Sequence, residues 1–156
     1  MLMSAESKNL LAQWEGFERE VYKDSAGLDT IGVGHLLTSS EKDSGYININ
    51  GDQVPYADGL SDEQIIDLLS QDLTRFEEAV TDSVAVELKQ NQFDALVSFS
   101  FNIGTGNFKS STLLRILNEG NFDGVPDQLR RWNKAGGRVV QGLVNRRENE
   151  INLWNG

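Results

Sequence analysis

The sequence predicts an α+β protein, mostly helical, with a small antiparallel sheet near its start. Short alternating segments punctuated by glycine and serine lie between Glu18 and Asn50. From Leu60 onward apolar residues recur at helical spacing instead. With 156 residues, 2 prolines and 15 scattered glycines, the chain has no linker-like block and is expected to be one domain.

Ser4 is placed to cap a first helix carrying Leu10, Leu11, Trp14 and Phe17, with Gly16 as its stop. "REVYKD" and "LDTIGVGH", separated by "SAG", read as a hairpin, and "YININ" (Tyr46 to Asn50) as the third strand of the sheet. So small a sheet must lean on helices. Ser61 and Gln64 form a capping box with Leu60 and Ile65 as the hydrophobic staple. Ile65, Leu69, Leu73, Phe76 and Val80 then mark one face of a helix of about five turns. "QNQFDALVSFSFNIG" is apolar around much of its circumference and reads as a buried central helix. Three more helices follow in "SSTLLRILNEG", "VPDQLRRWN" and "LVNRRENEINLW". The single domain, 1–156, is expected to have an N-terminal lobe over about 13–60 and a connecting helix over about 61–80. The C-terminal helical lobe, about 81–156, takes in the first helix, and a cleft between the lobes is the expected place for an elongated substrate.

Cysteine is absent, which excludes disulfides, thiolate metal sites and a cysteine nucleophile, and suits a reducing compartment. The N-terminus lacks a basic n-region and an apolar h-region, and no apolar run is long enough to span a bilayer. A net charge of −10 argues against a nucleic-acid partner. The charge is polarised, −12 over residues 1–86 and +2 over 87–156. Gln128 to Arg147 carries six cations and no acid, the one landing place for an anionic ligand unless it is simply a solvated basic face.

The chemistry concentrates in "WEGFEREVYKDSAGLDTIGVGH". Glu15 ends the first helix, where the macrodipole disfavours a negative charge, and Trp14 and Phe17 flank it with apolar surface. Both effects push a carboxyl pKa upward, as a general acid requires. Asp24 sits in a polar turn and should stay ionised. A chain reversal over Ser25 to Gly27 brings Thr30 back beside it, so that hydroxyl and carboxylate can share a water. Gly32 and Gly34 keep side chains off the strand and leave room for a bulky ligand. Two unequal carboxyl groups and a held water are the parts of an inverting glycoside hydrolase, although these residues alone leave open that the carboxylates are merely solvated. Glu18, Glu20 and Asp29 read as strand-surface charges. "GVGH" has no third glycine at the dinucleotide spacing and opens no helix, which excludes a Rossmann site. His35, the only histidine, lacks companions for a metal site, and no cofactor is called for.

This stretch, with Glu-Gly-aromatic, Tyr-x-Asp, Gly and Thr-Ile-Gly-x-Gly-His followed by "LLT", resembles the catalytic signature of the bacteriophage lysozymes, the endolysins of glycoside hydrolase family 24. The match is close to the T-even phage type. It extends through "QFDALVSFSFNIGTGNFKSSTLLRILN", "RRWNKAGG" and "GLVNRRENE". The resemblance implies a lysozyme-like fold and a muramidase that cuts the β-1,4 bond between N-acetylmuramic acid and N-acetylglucosamine in peptidoglycan. Glu15 is then the acid, and Asp24 with Thr30 orients the water. It also implies that His35 is structural, with Asp72 as its ion-pair partner. By position in the motifs, Gly32, Asn102, Arg131, Trp132, Asn145 and Arg146 face the substrate. Arg146 or Arg147 is placed to reach Glu15, and the sequence does not choose between them. Against this, Trp132 could be core and the arginines could pair with Glu148 and Glu150.

Without a secretion signal, the chain is expected to accumulate in the host cytoplasm as a monomer without stable membrane insertion, and by family analogy it reaches the wall after a holin permeabilises the membrane. Two other accounts stay open, a lytic transglycosylase and a non-catalytic peptidoglycan-binding module. Two departures stand out: this chain is acidic where many phage lysozymes are cationic, and residues 36–60 differ in content from the family pattern.

Overall fold

The computed structural model describes all 156 residues, Met1–Gly156. They fall into two compact units, Ala5–Thr74 in one and Met1–Ser4 with Arg75–Gly156 in the other. Helix α1 (Ala5–Glu15) belongs to the first of these.

Beyond α1, the first unit carries β1 (Glu18–Lys23), β2 (Asp29–Gly32), β3 (His35–Leu36), α2 (Ser39–Ser44), β4 (Tyr46–Ile49) and β5 (Asp52–Pro55). The sheet is antiparallel in the order β1-β2-β3. Its third strand is not Tyr46–Asn50 as the alternation suggests: that segment supplies β4 of a separate hairpin with β5. The cause lies at Asn50 and Gly51, with φ of 54° and 87°, which form a tight turn and send the strand back on itself. Helix α2, absent from the expectation, rests on a capping box in which Thr38 Oγ1 accepts from Glu41 N and Glu41 Oε1 from Thr38 N, at 3.1 and 2.8 Å.

Helix α3 (Asp62–Ser83) is longer than its expected span and runs from the first unit into the second. It begins as the capping box dictates, Ser61 N donating to Gln64 Oε1 and Gln64 N to Ser61 Oγ, at 2.9 and 3.1 Å. Ile65, Leu69, Leu73, Phe76 and Val80 are each 5% exposed or less, so the stripe is the buried one.

The second unit is built on α4 (Gln90–Ile103), buried without interruption from Phe93 to Ser100. Around it come α5 (Thr105–Lys109), α6 (Thr112–Asn118), α7 (Val125–Arg130), the hairpin β6 (Lys134–Ala135) and β7 (Arg138–Val139), and α8 (Gln141–Asn155). A helix buried on all sides must satisfy its polar side chains internally. Asp94 does so by accepting from Ser4 N, Ser4 Oγ and Gln90 Nε2 at 3.1, 2.7 and 2.7 Å, which ties the N-terminus to α4.

His35 joins three elements of the first unit. Its Nδ1 lies 2.8 Å from Asp72 Oδ2 on α3, and its Nε2 lies 3.0 Å from Glu41 Oε1 on α2. Carboxylates on both ring nitrogens call for the imidazolium, which donates from both. Burial works against that charge, but the hydrogen bonds and charges of Asp72 and Glu41 prevail and push the pKa up to about 9. Because the folded value lies above the unfolded one, the pair's contribution to stability is full below about pH 6.5. It fades as pH rises through about 9. Denaturant titrations from pH 6 to 10 should show stability falling across that window, and His35→Gln should flatten the fall while lowering stability at pH 6 by about 1–3 kcal/mol.

Candidate functional site

Glu15 is the last residue of α1, where Gly16 at φ 74° turns the chain out of the helix. No basic side chain occupies that last turn. The carboxylate is exposed, and Phe17 leaves 42% of its own surface in water, so the apolar cover expected from Trp14 and Phe17 is not formed.

Asp24 starts the turn between β1 and β2. Its Oδ1 accepts from the backbone of Ala26 and Leu28, both at 2.9 Å, while the main chain closes through Asp24 N to Leu28 O and Gly27 N to Asp24 O, also at 2.9 Å. One carboxylate oxygen therefore builds the turn, and Oδ2 takes no part in it. Thr30 follows on β2 with its hydroxyl donating to Leu28 O at 2.9 Å. With that proton committed, Oγ1 can only accept from a further partner. Thr30 is 1% exposed, so a water on Oγ1 would be an ordered molecule and not bulk solvent.

Tyr22 is the residue that sequence reasoning missed. It pairs across the ladder with Thr30 and shares a strand face with Asp24 at i+2. Its phenol pKa is raised, first by burial and then by the charges of Glu18, Glu15 and Asp24. The fields of Glu15 and Asp24 thus converge on one side chain. The Tyr-x-Asp spacing carried the signal, since alternate residues of a strand share a face.

The other acids of the stretch are placed differently. Asp29 pairs with Lys23 across the hairpin, and its pKa is lowered chiefly by that hydrogen bond. Glu18 and Glu20 are exposed on β1. Gly32 does not open space for a ligand: it is buried, and a Cβ there would meet Ile65 and Leu68 of α3 at 3.6 and 3.9 Å. Its φ of 66° is what requires glycine, whereas Gly34 does face open space.

The C-terminal candidates lie in the second unit. Asn102 and Trp132 line a cavity of about 240 Å³ with Ile103, Asn107, Lys134 and Leu143. Trp132 is half-buried, edge-on to Phe99 at 5.7 Å. Arg131 and Asn145 are exposed, Asn145 accepting from Gln141 Nε2 at 2.9 Å. Arg146 is buried, 7% exposed, and donates to Glu150 and to the Ser98 carbonyl at 3.3 and 3.0 Å. Arg147 is buried still more deeply, at 1%, beside the same Glu150. Arg130 pairs with Glu148 at 2.9 Å. The pairing alternative for the arginines therefore describes real contacts. No cluster of His, Cys, Asp or Glu is arranged to hold a metal ion.

The sequence model of the family described as phage lysozyme matches residues 12–150. The endolysin of Salmonella phage P22 is 38% identical over 136 residues, 87% of this chain and 86% of that one. The endolysin of Bacillus phage B103 is 38% identical over 99% of this chain but only 54% of its own length. That of Bacillus phage PZA is 39% identical over 55% of its length, so the chain spans about half of these two relatives. Among solved structures, a P22 lysozyme mutant superposes with a TM-score of 0.84 at 36% identity, covering 100% of this chain and 99% of that one. The muramidase domain of SpmX from Asticaccaulis excentricus does so at 0.80 and 31% identity, covering 99% and 97%. Matched along most of its sequence and throughout its backbone, this chain belongs to the phage lysozyme family.

Proposed function

We propose that the chain is an endolysin-type muramidase that hydrolyses the β-1,4 bond between N-acetylmuramic acid and N-acetylglucosamine in peptidoglycan, with inversion at the anomeric carbon. The observation that carries this reading is the hairpin turn in which Asp24 Oδ1 accepts from Leu28 N while Thr30 Oγ1 donates to Leu28 O, with Tyr22 paired to Thr30 across the ladder. Glu15 donates its proton to the glycosidic oxygen as the bond breaks. A water donates one hydrogen to Asp24 Oδ2 and the other to Thr30 Oγ1, which leaves a lone pair free to attack the opposite face of the sugar. Glu15 is exposed in the free protein, so the bound sugar is what covers it from water during transfer. Peptidoglycan is the polymeric partner, and the cationic stretch from Gln128 to Arg147 suits its lactyl and peptide carboxylates. The protein acts as a monomer on the wall after membrane permeabilisation of the holin type, having accumulated in the host cytoplasm. No helix is long and apolar enough to cross a membrane.

Glu15→Gln keeps the shape and loses the proton, so clearing of peptidoglycan suspensions should drop by about 10²–10⁴-fold with the thermal transition unchanged. Full activity in that variant would refute the proposal. Mass spectrometry of the products separates the alternatives: hydrolysis adds one water to each cut, a lytic transglycosylase leaves an anhydro end, and a binding module sediments with the wall while releasing no reducing ends. Asp24→Asn retains the Oδ1 acceptor that holds the turn but removes the charge behind the water. Its expected signature is a fall in kcat of at least about tenfold with far-UV circular dichroism and melting temperature close to wild type.

A further inference from the structure

Glu150 is 0% exposed and stands outside the chemistry proposed for Glu15, Asp24 and Thr30. Its Oε2 accepts from Ser98 Oγ, Arg146 Nε and Arg147 Nη2 at 2.6, 3.3 and 3.3 Å. Its Oε1 lies 2.7 Å from Arg147 Nε as an ion-pair contact without hydrogen-bond geometry. Burying a carboxylate and two guanidinium groups is expensive, and hydrophobic replacements of such clusters are often neutral or stabilising. What the cluster does besides hold charge is aim Arg147. That guanidinium lies over the Phe99 ring at 5.1 Å, and Phe99 meets Trp132 edge-on. Its Nη1 donates to the Trp132 carbonyl at 3.4 Å, and its Nη2 donates to Asn102 Oδ1 at 2.8 Å.

The last contact decides the chemistry of the 240 Å³ cavity. A guanidinium has only donors, so the carboxamide oxygen of Asn102 must face it, and the cavity is left with the Asn102 NH2. Asn107 is fixed in the opposite sense: its Nδ2 donates to the Ile103 carbonyl at 2.8 Å, so the Oδ1 remains as an acceptor. One donor and one acceptor beside an indole and Leu143 match a secondary amide, whose carbonyl accepts and whose N–H donates.

We infer that Glu150 is a positioning residue which, through Arg147, holds the Asn102 carboxamide in the one orientation that lets this cavity bind a secondary amide. This rests on the proposed action on peptidoglycan, which offers that group both as the acetamido substituent of its sugars and as the links of its stem peptides. The variant Glu150→Gln keeps the volume and removes the charge that aims Arg147. Asn102→Asp keeps the acceptor for Arg147 and removes the donors facing the cavity.

Binding can be read without turnover, by NMR titration of 15N-labelled protein carrying Glu15→Gln, which keeps a failure of the muramidase reading separate from a failure of this one. Tetra-N-acetylchitotetraose supplies acetamido groups alone and D-lactoyl-L-alanyl-D-isoglutamine supplies stem-peptide amides without an acetamido group, so the two probes distinguish the sources. At least one probe should shift the Asn102 and Asn107 side-chain amide signals. Its dissociation constant should rise about five- to tenfold in Glu150→Gln, by the same factor in Asn102→Asp, and no further in the double variant. Arg147→Lys, which cannot hold Glu150 and Asn102 together, should give the same loss and serves if Glu150→Gln does not fold. Unchanged affinity in Glu150→Gln, losses that multiply in the double variant, or no shift with either probe would overturn the inference.

Discussion

The first unit depends on one carboxylate oxygen. Asp24 Oδ1 accepts two backbone N–H groups in the turn after β1, and those bonds fix where β2 begins. They therefore fix which residue of β2 stands opposite Tyr22, and that residue is Thr30. A slip of one residue would turn Thr30 to the other face of the sheet and separate hydroxyl from carboxylate. The turn and the proposed water site are thus one structure, with the two oxygens of a single side chain dividing the tasks. Putting the water-holding carboxylate on an Asx-type turn has a physical advantage: the backbone bonds fix its position, so little reorganisation would be needed for the proposed chemistry.

The same economy appears elsewhere. Glu41 closes the capping box of α2 and also holds His35. Asp94 is buried in α4 and accepts from the main chain and hydroxyl of Ser4. Glu150 gathers Ser98, Arg146 and Arg147. Of these acids, Asp94 and Glu150 are buried and join elements distant in sequence, as expected where polar groups can be covered only if fully satisfied. With cysteine absent, these carboxylates are cross-links that bind segments far apart in the chain.

Elements whose signals are local were legible in the sequence. The capping box at Ser61 and Gln64, the apolar stripe of α3 and the all-round burial of α4 follow from residues within one or two turns of each other. Pairing partners were not legible. Tyr46–Ile49 alternates as well as any strand, and only the positive φ of Asn50 and Gly51 decides that it pairs with β5 and not with the sheet. Helix α2 hid in polar residues with no apolar face to reveal it. Around the candidate site, chain order singled out Glu15, Asp24 and Thr30, whereas Tyr22, hinted at by the Tyr-x-Asp spacing, needed the cross-strand register to be recognised, and Gly32 owes its identity to φ, not to an open surface. The arginines show the same limit, because a cationic run in sequence does not reveal which of its members have buried partners. Arg146 and Arg147 do, while Arg131 stays at the surface.

That sorting bears on how an acidic protein could hold the anionic wall proposed as its substrate. A formal charge of −10 repels carboxylates at long range, but screening confines the repulsion to about 8–10 Å at physiological ionic strength. Within that distance, local charge decides. Between Gln128 and Arg147 there is no acid, and Arg131, Lys134 and Arg138 are exposed there. Two cations of the same stretch, Arg146 and Arg147, are drawn inward by Glu150 and serve packing and orientation instead of attraction. The exposed surface of this stretch is therefore less basic than the sequence alone suggests. Under the proposed function, recognition then comes mainly from short-range hydrogen bonds and stacking, the kind of contact that a fixed carboxamide and an indole provide and that salt weakens little.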